Sequence, residues 1–167
     1  MSPKQSHQLI TGVSFGATSG IITTIGMIVG LNSATSSKLA VAAGIIVMAI
    51  ANGFADAAGL HVSEESEVEW EKVKHTQKEI WFTTFFTFLS VCGSSLTFAV
   101  PILIFPLKMA VIISVGWGIL LLIILNCYIA SIRKENPAHL ISEHIFLALF
   151  VIFVSYWAGI LVARFIK

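Results

Sequence analysis

Apolar residues along this chain run in long unbroken blocks, and the polar residues collect in the gaps between them. A block of roughly 20 mostly apolar residues is what an α-helix needs to cross a bilayer, whereas alternation of polar and apolar positions would point to strands. Five blocks qualify: about Gln8 to Leu31, Leu39 to Val62, Ile80 to Phe105, Leu107 to Ile132 and Leu140 to Ile166. The joints NSATSSK, PLK and RKENPAH are short and polar, so neighbouring helices must run antiparallel. Only the second joint has length. Residues 63–79 carry helical spacing beyond the apolar block and are dense in acids, which predicts a short acidic helical extension outside the membrane. Pro101 and Pro106 bend or end the third helix, and Ser94, Ser95 and Thr97 can satisfy backbone groups that Pro101 frees.

Composition agrees with this pattern. Of 167 residues, 56% are hydrophobic and 11% charged, and the mean hydropathy is +0.90, too apolar for a water-exposed surface. The expectation is an all-α integral membrane protein of five transmembrane helices, a single domain over residues 1–167 whose first partner is the lipid bilayer. A formal net charge of +1 argues against a nucleic-acid partner. Cys92 and Cys127 lie in apolar runs with no metal or redox spacing. The first block is too long and too rich in Gly and Thr for a cleaved signal peptide, so it reads as a retained span. An inner-side N-terminus groups Lys4, Lys72, Lys74, Lys78, Arg133 and Lys134, against Lys38, Lys108, Arg164 and Lys167 outside. That bias predicts a cytoplasmic N-terminus. The expected location is multi-pass in the plasma membrane of a prokaryote or a vacuolar-type membrane of a eukaryote.

Eight of the nine acids fall on the inner side, and the ninth, Asp56, sits within the second apolar block. A carboxylate inside a bilayer costs about 2.5–3.5 kcal/mol on insertion scales and usually faces a cavity or a partner. Met48, Asn52 and Asp56 share one helical stripe, and thioether, amide oxygen and carboxylate together suit a borderline divalent cation such as Fe²⁺ or Mn²⁺. The same carboxylate can carry a proton. Packing supplies the plainer alternative: an interhelical hydrogen bond from Asp56, with Met48 filling space. The first helix presents Ser19, Thr23 and Met27 as a facing stripe, with Ser19 expected near the depth of Asn52 and Thr23 near that of Met48, although Ser and Thr commonly bond their own helix backbone. Beyond Asp56, Glu67, Glu71, His75 and Glu79 recur at four-residue spacing, as do His61, Glu65 and Glu69. With Glu64 these form a vestibule that concentrates cations, or else a solvated helix balanced by its lysines. His139, Glu143 and His144 offer a weaker cluster. Gly12, Gly16 and Gly20 allow close helix packing or dimerisation. No phosphate loop, HExxH or nucleophile signature is present, so the chain is read as not an enzyme, with no permanently bound cofactor.

The segment GATSGIITTIGMIVGL resembles the first-helix signature of the vacuolar iron transporter family, through Gly20, Ile21, Thr24, Gly26 and Gly30. ALFVIFVSYWAGILVARF is similar to the closing span of that family, as is the order of five helices with a cytoplasmic extension after the second. The resemblance implies a homodimer that exports Fe²⁺ or Mn²⁺ from the cytosol, with a proton as the candidate counter-ion, along a pathway lined by Ser19, Thr23 and Thr24. The chain departs from the family where its chemistry lies. Ser19 stands where the family has Asp, Asp56 where it has Met and Leu60 where it has Glu, and the metal-binding module is reduced to one acidic stretch. The resemblance therefore supports two readings. In one, the pathway acid has moved to Asp56. In the other, the fold serves as a non-transporting membrane scaffold.

Overall fold

The computed structural model describes residues 3–70 and 76–166, and side chains over 7–66 and 76–166. Among the described residues there is no strand. The helices are α1 (Pro3–Thr35), α2 (Lys38–Trp70), α3 (Gln77–Thr97), α4 (Ala99–Ile104), α5 (Leu107–Arg133) and α6 (Pro137–Phe165). Five stretches are long and apolar enough to cross a bilayer: His7–Thr35, Lys38–Ser66, Gln77–Ile104, Leu107–Arg133 and Pro137–Phe165.

The polar joints act as helix ends. Ser37 Oγ accepts from the Ala40 amide at the start of α2. Thr76 and Glu79 form a reciprocal capping box at the start of α3. Asn136 caps α6, with Pro137 in the first turn. Lys134, at φ 56°, closes α5 in the left-handed conformation. The third span is broken at Phe98 and resumes as α4 with Pro101 inside it. The hydroxyls before Pro101 bond other carbonyls than the Thr97 O it frees: Ser94 Oγ donates to Ser90 O and Thr97 Oγ1 to Ser94 O, both at 2.7 Å, and Ser95 Oγ to Gly20 O at 3.3 Å. The exposed Trp117 donates its indole N–H to Thr97 Oγ1 at 3.0 Å. On the far side of the break, Lys38 Nζ donates to Leu103 O and Phe105 O, both at 3.1 Å, tying the start of α2 to the end of α4.

α1 is the hub. It packs on α2, α3, α5 and α6, while α2 packs on α3 and α4, and α5 on α4 and α6. Half of the most apolar window of α1 is buried, against 11% for α6. Small residues explain the close approach at the centre. A Cβ on Gly12, Gly16 or Gly20 would stand 2.7, 2.5 and 2.8 Å from Thr83 O, Thr87 O and Val91 O, so this glycine ridge lies directly on the α3 backbone. The ridge is thus spent on packing within one chain. α5 turns a four-residue stripe inward, Ala110, Ser114, Gly118, Leu122, Asn126 and Ala130. Ile25, Ile28, Ile45, Phe98, Ile102 and Leu122 are fully buried at the core. The outer surface carries large exposed apolar side chains, among them Phe146, Phe150, Phe153 and Trp157 on α6, as a lipid-solvated surface requires.

A candidate cation site between the first two helices

The two-residue link Ser36–Ser37 folds α2 back along α1 and brings the polar stripes of both helices together. Asn52 is the middle residue of the Lys38–Ser66 span, and Asp56 lies one turn, about 6 Å, closer to the end bearing the N-terminus. Ser19 Oγ donates to Asp56 Oδ2 at 2.5 Å, and Asn52 Nδ2 donates to the same oxygen at 3.1 Å. Asn52 Nδ2 also lies 3.3 Å from both Ser19 Oγ and Thr23 Oγ1. An amide group with two hydrogens therefore faces three oxygens, the kind of oxygen-lined position a cation can take. Thr23 donates its hydroxyl to Ser19 O at 2.7 Å, the helical back-bond common for threonine. All four residues are partly exposed, so the cluster lies at the edge of the seam rather than sealed inside the core.

Ser19 meets Asn52, the depth the sequence predicts, and reaches Asp56 one turn beyond it, while Thr23 also meets Asn52. α1 continues to Thr35 through the first polar residues of NSATSSK, so the turn closes nearer the C-terminus than the end of the apolar block predicts. Met48 is half-buried one turn above Asn52. Met27 does not join the cluster: its Sδ packs where a Cβ on Gly44 would be, eight residues from Asn52 towards the opposite end. Thr24 is fully buried, and its Oγ1 has no hydrogen-bond partner among the described residues.

Among the described residues beyond Asp56, His61 and Glu65 pair with each other. His61 turns to α3, where its Nδ1 lies 2.9 Å from Thr84 Oγ1 and its ring packs at a tilt of 58° against Trp81 with centroids 4.6 Å apart. Its Nε2 is 3.5 Å from the carboxylate of Glu65. Thr84, which the sequence reading passed over, is thus the partner that orients His61; its spacing of four from Ile80, on the inward stripe of α3, was the available signal. Glu64 is buried at 7% exposure, Glu65 is exposed, and Glu67, Glu71 and His75 lie outside the residues whose side chains are described. His139 and Glu143 approach to 3.7 Å at the exposed start of α6. Among the described residues no three His, Cys, Asp or Glu side chains converge as a metal site, and the groups bonded to Asp56 are a hydroxyl and an amide.

The comparisons are sparse. No family model matches the chain, and no solved structure matches it. The chain is similar to an uncharacterised protein of the archaeon Methanocaldococcus jannaschii, 25% identical over 140 aligned residues that cover 72% of this chain and 73% of the other.

Proposed function

We propose that this chain is a membrane transporter for a divalent cation, and that Asp56, Asn52, Ser19 and Thr23 are the waypoint its cargo occupies within the bilayer. One observation carries the reading: a carboxylate, an amide and two hydroxyls from two helices converge near the middle of a span, where an acid is costly unless it has work to do. Exchange of the Asn52 amide nitrogen for its oxygen would complete an all-oxygen donor set around a cation. Those oxygens suit the harder Mn²⁺, and the Met48 thioether one turn from Asn52 is the donor that would admit Fe²⁺. The resemblance to vacuolar iron transporters supports the same assignment, with export from the cytosol, proton exchange and a homodimer as its finer parts. Ser19, in place of the family acid, hydrogen-bonds the carboxylate that has moved to α2.

A second reading has its own support. Asp56 Oδ2 already accepts two hydrogen bonds, which suits a packing contact in a membrane scaffold. Thermal unfolding in detergent separates the two. Mn²⁺ at 100 times its dissociation constant stabilises a specific binder by about 2.7 kcal/mol. The transporter reading expects that stabilisation in the natural chain, its loss in Asp56→Asn, and Mn²⁺ uptake into vesicles that falls with it. Uptake unchanged in Asp56→Asn would remove Asp56 from the pathway.

A further inference from the structure

A second polar feature lies on the other side of α1, at the end bearing the N-terminus. There α1, α5 and α6 spread around a cavity of about 360 Å³ whose lining includes Ser14, Thr18 and Ser19 of α1, Asn126 and Arg133 of α5, and His144 of α6. Asn126 is completely buried. Its Nδ2 donates to Leu122 O at 2.8 Å, which fixes the amide orientation, and its Oδ1 has no hydrogen-bond partner among the described residues. A buried acceptor left unpaired costs about 1–3 kcal/mol, so native proteins rarely leave one without water or a ligand. The α1 hydroxyls point the same way. Thr11, Thr23 and Thr35 bond back to carbonyls of their own helix, whereas Ser14 and Thr18 make no such bond among the described residues. His144 Nδ1 donates to Leu140 O at 2.8 Å, which leaves Nε2 for the cavity. Arg133, paired with Glu135 at 3.1 Å, stands at its mouth.

Most of the wall is apolar, with Phe15, Ile129 and Leu140 among the polar groups, but a space this large with several polar groups free of other bonds can hold water on them. Ser19 belongs to both features: it lines this cavity, and its hydroxyl bonds Asp56. We infer that the cavity is a water-filled chamber through which small hydrated solutes reach Ser19, and so the Asp56 cluster, from the end bearing the N-terminus. What the chamber delivers rests on the transport reading above; that it is wet and leads to Ser19 does not. The route differs from one along the acidic end of α2, where His61 is turned away to α3.

Labelling with a charged, membrane-impermeant methanethiosulfonate tests this without any transport assay. The natural chain supplies the reference, because Cys127 is exposed beside Asn126 but does not line the cavity. In vesicles, Thr18→Cys should label on the order of ten-fold faster than Cys127, since a charged reagent reaches a thiol in water but not one that faces lipid. Ser14→Cys serves equally if Thr18→Cys fails to fold. Ser19→Cys should also label, and adding Asn126→Phe to plug the chamber should slow it by a similar factor. Labelling of both α1 positions no faster than Cys127 would show a dry cavity and overturn the inference. Rapid Ser19→Cys labelling that the plug leaves unchanged would show approach from the α2 side and overturn the route. Labelling as expected with no Mn²⁺ uptake by the natural chain would uphold the chamber and refute transport.

Discussion

Replacing Asp56 by asparagine separates the cost of its charge from the value of its contacts. Asparagine keeps the shape and an acceptor oxygen, so the bonds from Ser19 Oγ and Asn52 Nδ2 survive. What disappears is the charge. A charged Asp at the centre of a membrane helix costs about 2.5–3.5 kcal/mol, and Asp56 lies about 6 Å from the centre of its span, partly exposed and doubly hydrogen-bonded, which leaves roughly 1–2 kcal/mol to be recovered. Interhelical hydrogen bonds in membranes average about 0.6 kcal/mol, so even imperfect replacement of both bonds would cost less than that gain. Without metal, Asp56→Asn should therefore unfold at equal or higher denaturant than the natural chain in a reversible titration in mixed micelles. With Mn²⁺ the order should reverse, because only the natural chain gains from binding. A metal-free loss above about 1 kcal/mol would mean that the carboxylate stabilises the fold, and the argument that it is retained for function would fail.

Other consequences follow from the packing. Gly16→Val drives a side chain into Thr87 O and Ser90 Cβ, both at backbone-limited distance, and should cost about 2–4 kcal/mol in the same titration; a change below 1 kcal/mol would contradict the contact of α1 with α3. Lys38→Met removes both donors to the end of α4 and should lower stability by about 1–2 kcal/mol, with faster amide exchange at Leu103 to Phe105, leaving exchange in α6 unchanged. His61→Ala removes the ring that packs tilted against Trp81 and contacts Thr84, and should shift tryptophan emission while leaving the Asp56 cluster, and hence any Mn²⁺ stabilisation, intact.

The number of spans, their polar joints and the meeting of the polar stripes of α1 and α2 were legible because bilayer thickness and helical period leave strong marks on a sequence. The marks were weaker wherever the outcome depended on which neighbour a face meets. NSATSSK is polar enough to be a loop, yet its first residues continue α1, and the later turn brings Ser19 to Asp56 as well as to Asn52. His61 lies five residues after Asp56, about 140° further around the helix, so proximity in sequence placed it on the pathway while geometry turned it to α3. Met27 matched the spacing of Ser19 and Thr23, but Gly44 opposite offered a recess that a thioether fills. Asn126 is embedded in the apolar run ILLLIILNCYIA, where nothing in the composition marks it. Its position on the inward four-residue stripe of α5 was the one available sign, and the cavity beside it requires α1 and α6 as well.

The sparse burial of α6 bears on how the protein is assembled. A helix that keeps most of its apolar surface against lipid can partition from the translocon alone and diffuse as an independent rod until Gly159 meets α1 near Gly30 and Ser33. α1 emerges earlier yet owes much of its comfort in the membrane to neighbours not yet synthesised, and its serines and threonines must wait for α2 and α3. Biogenesis should therefore have a vulnerable interval at its beginning and a forgiving step at its end, and chains cut short before α3 should be the ones quality-control proteases find.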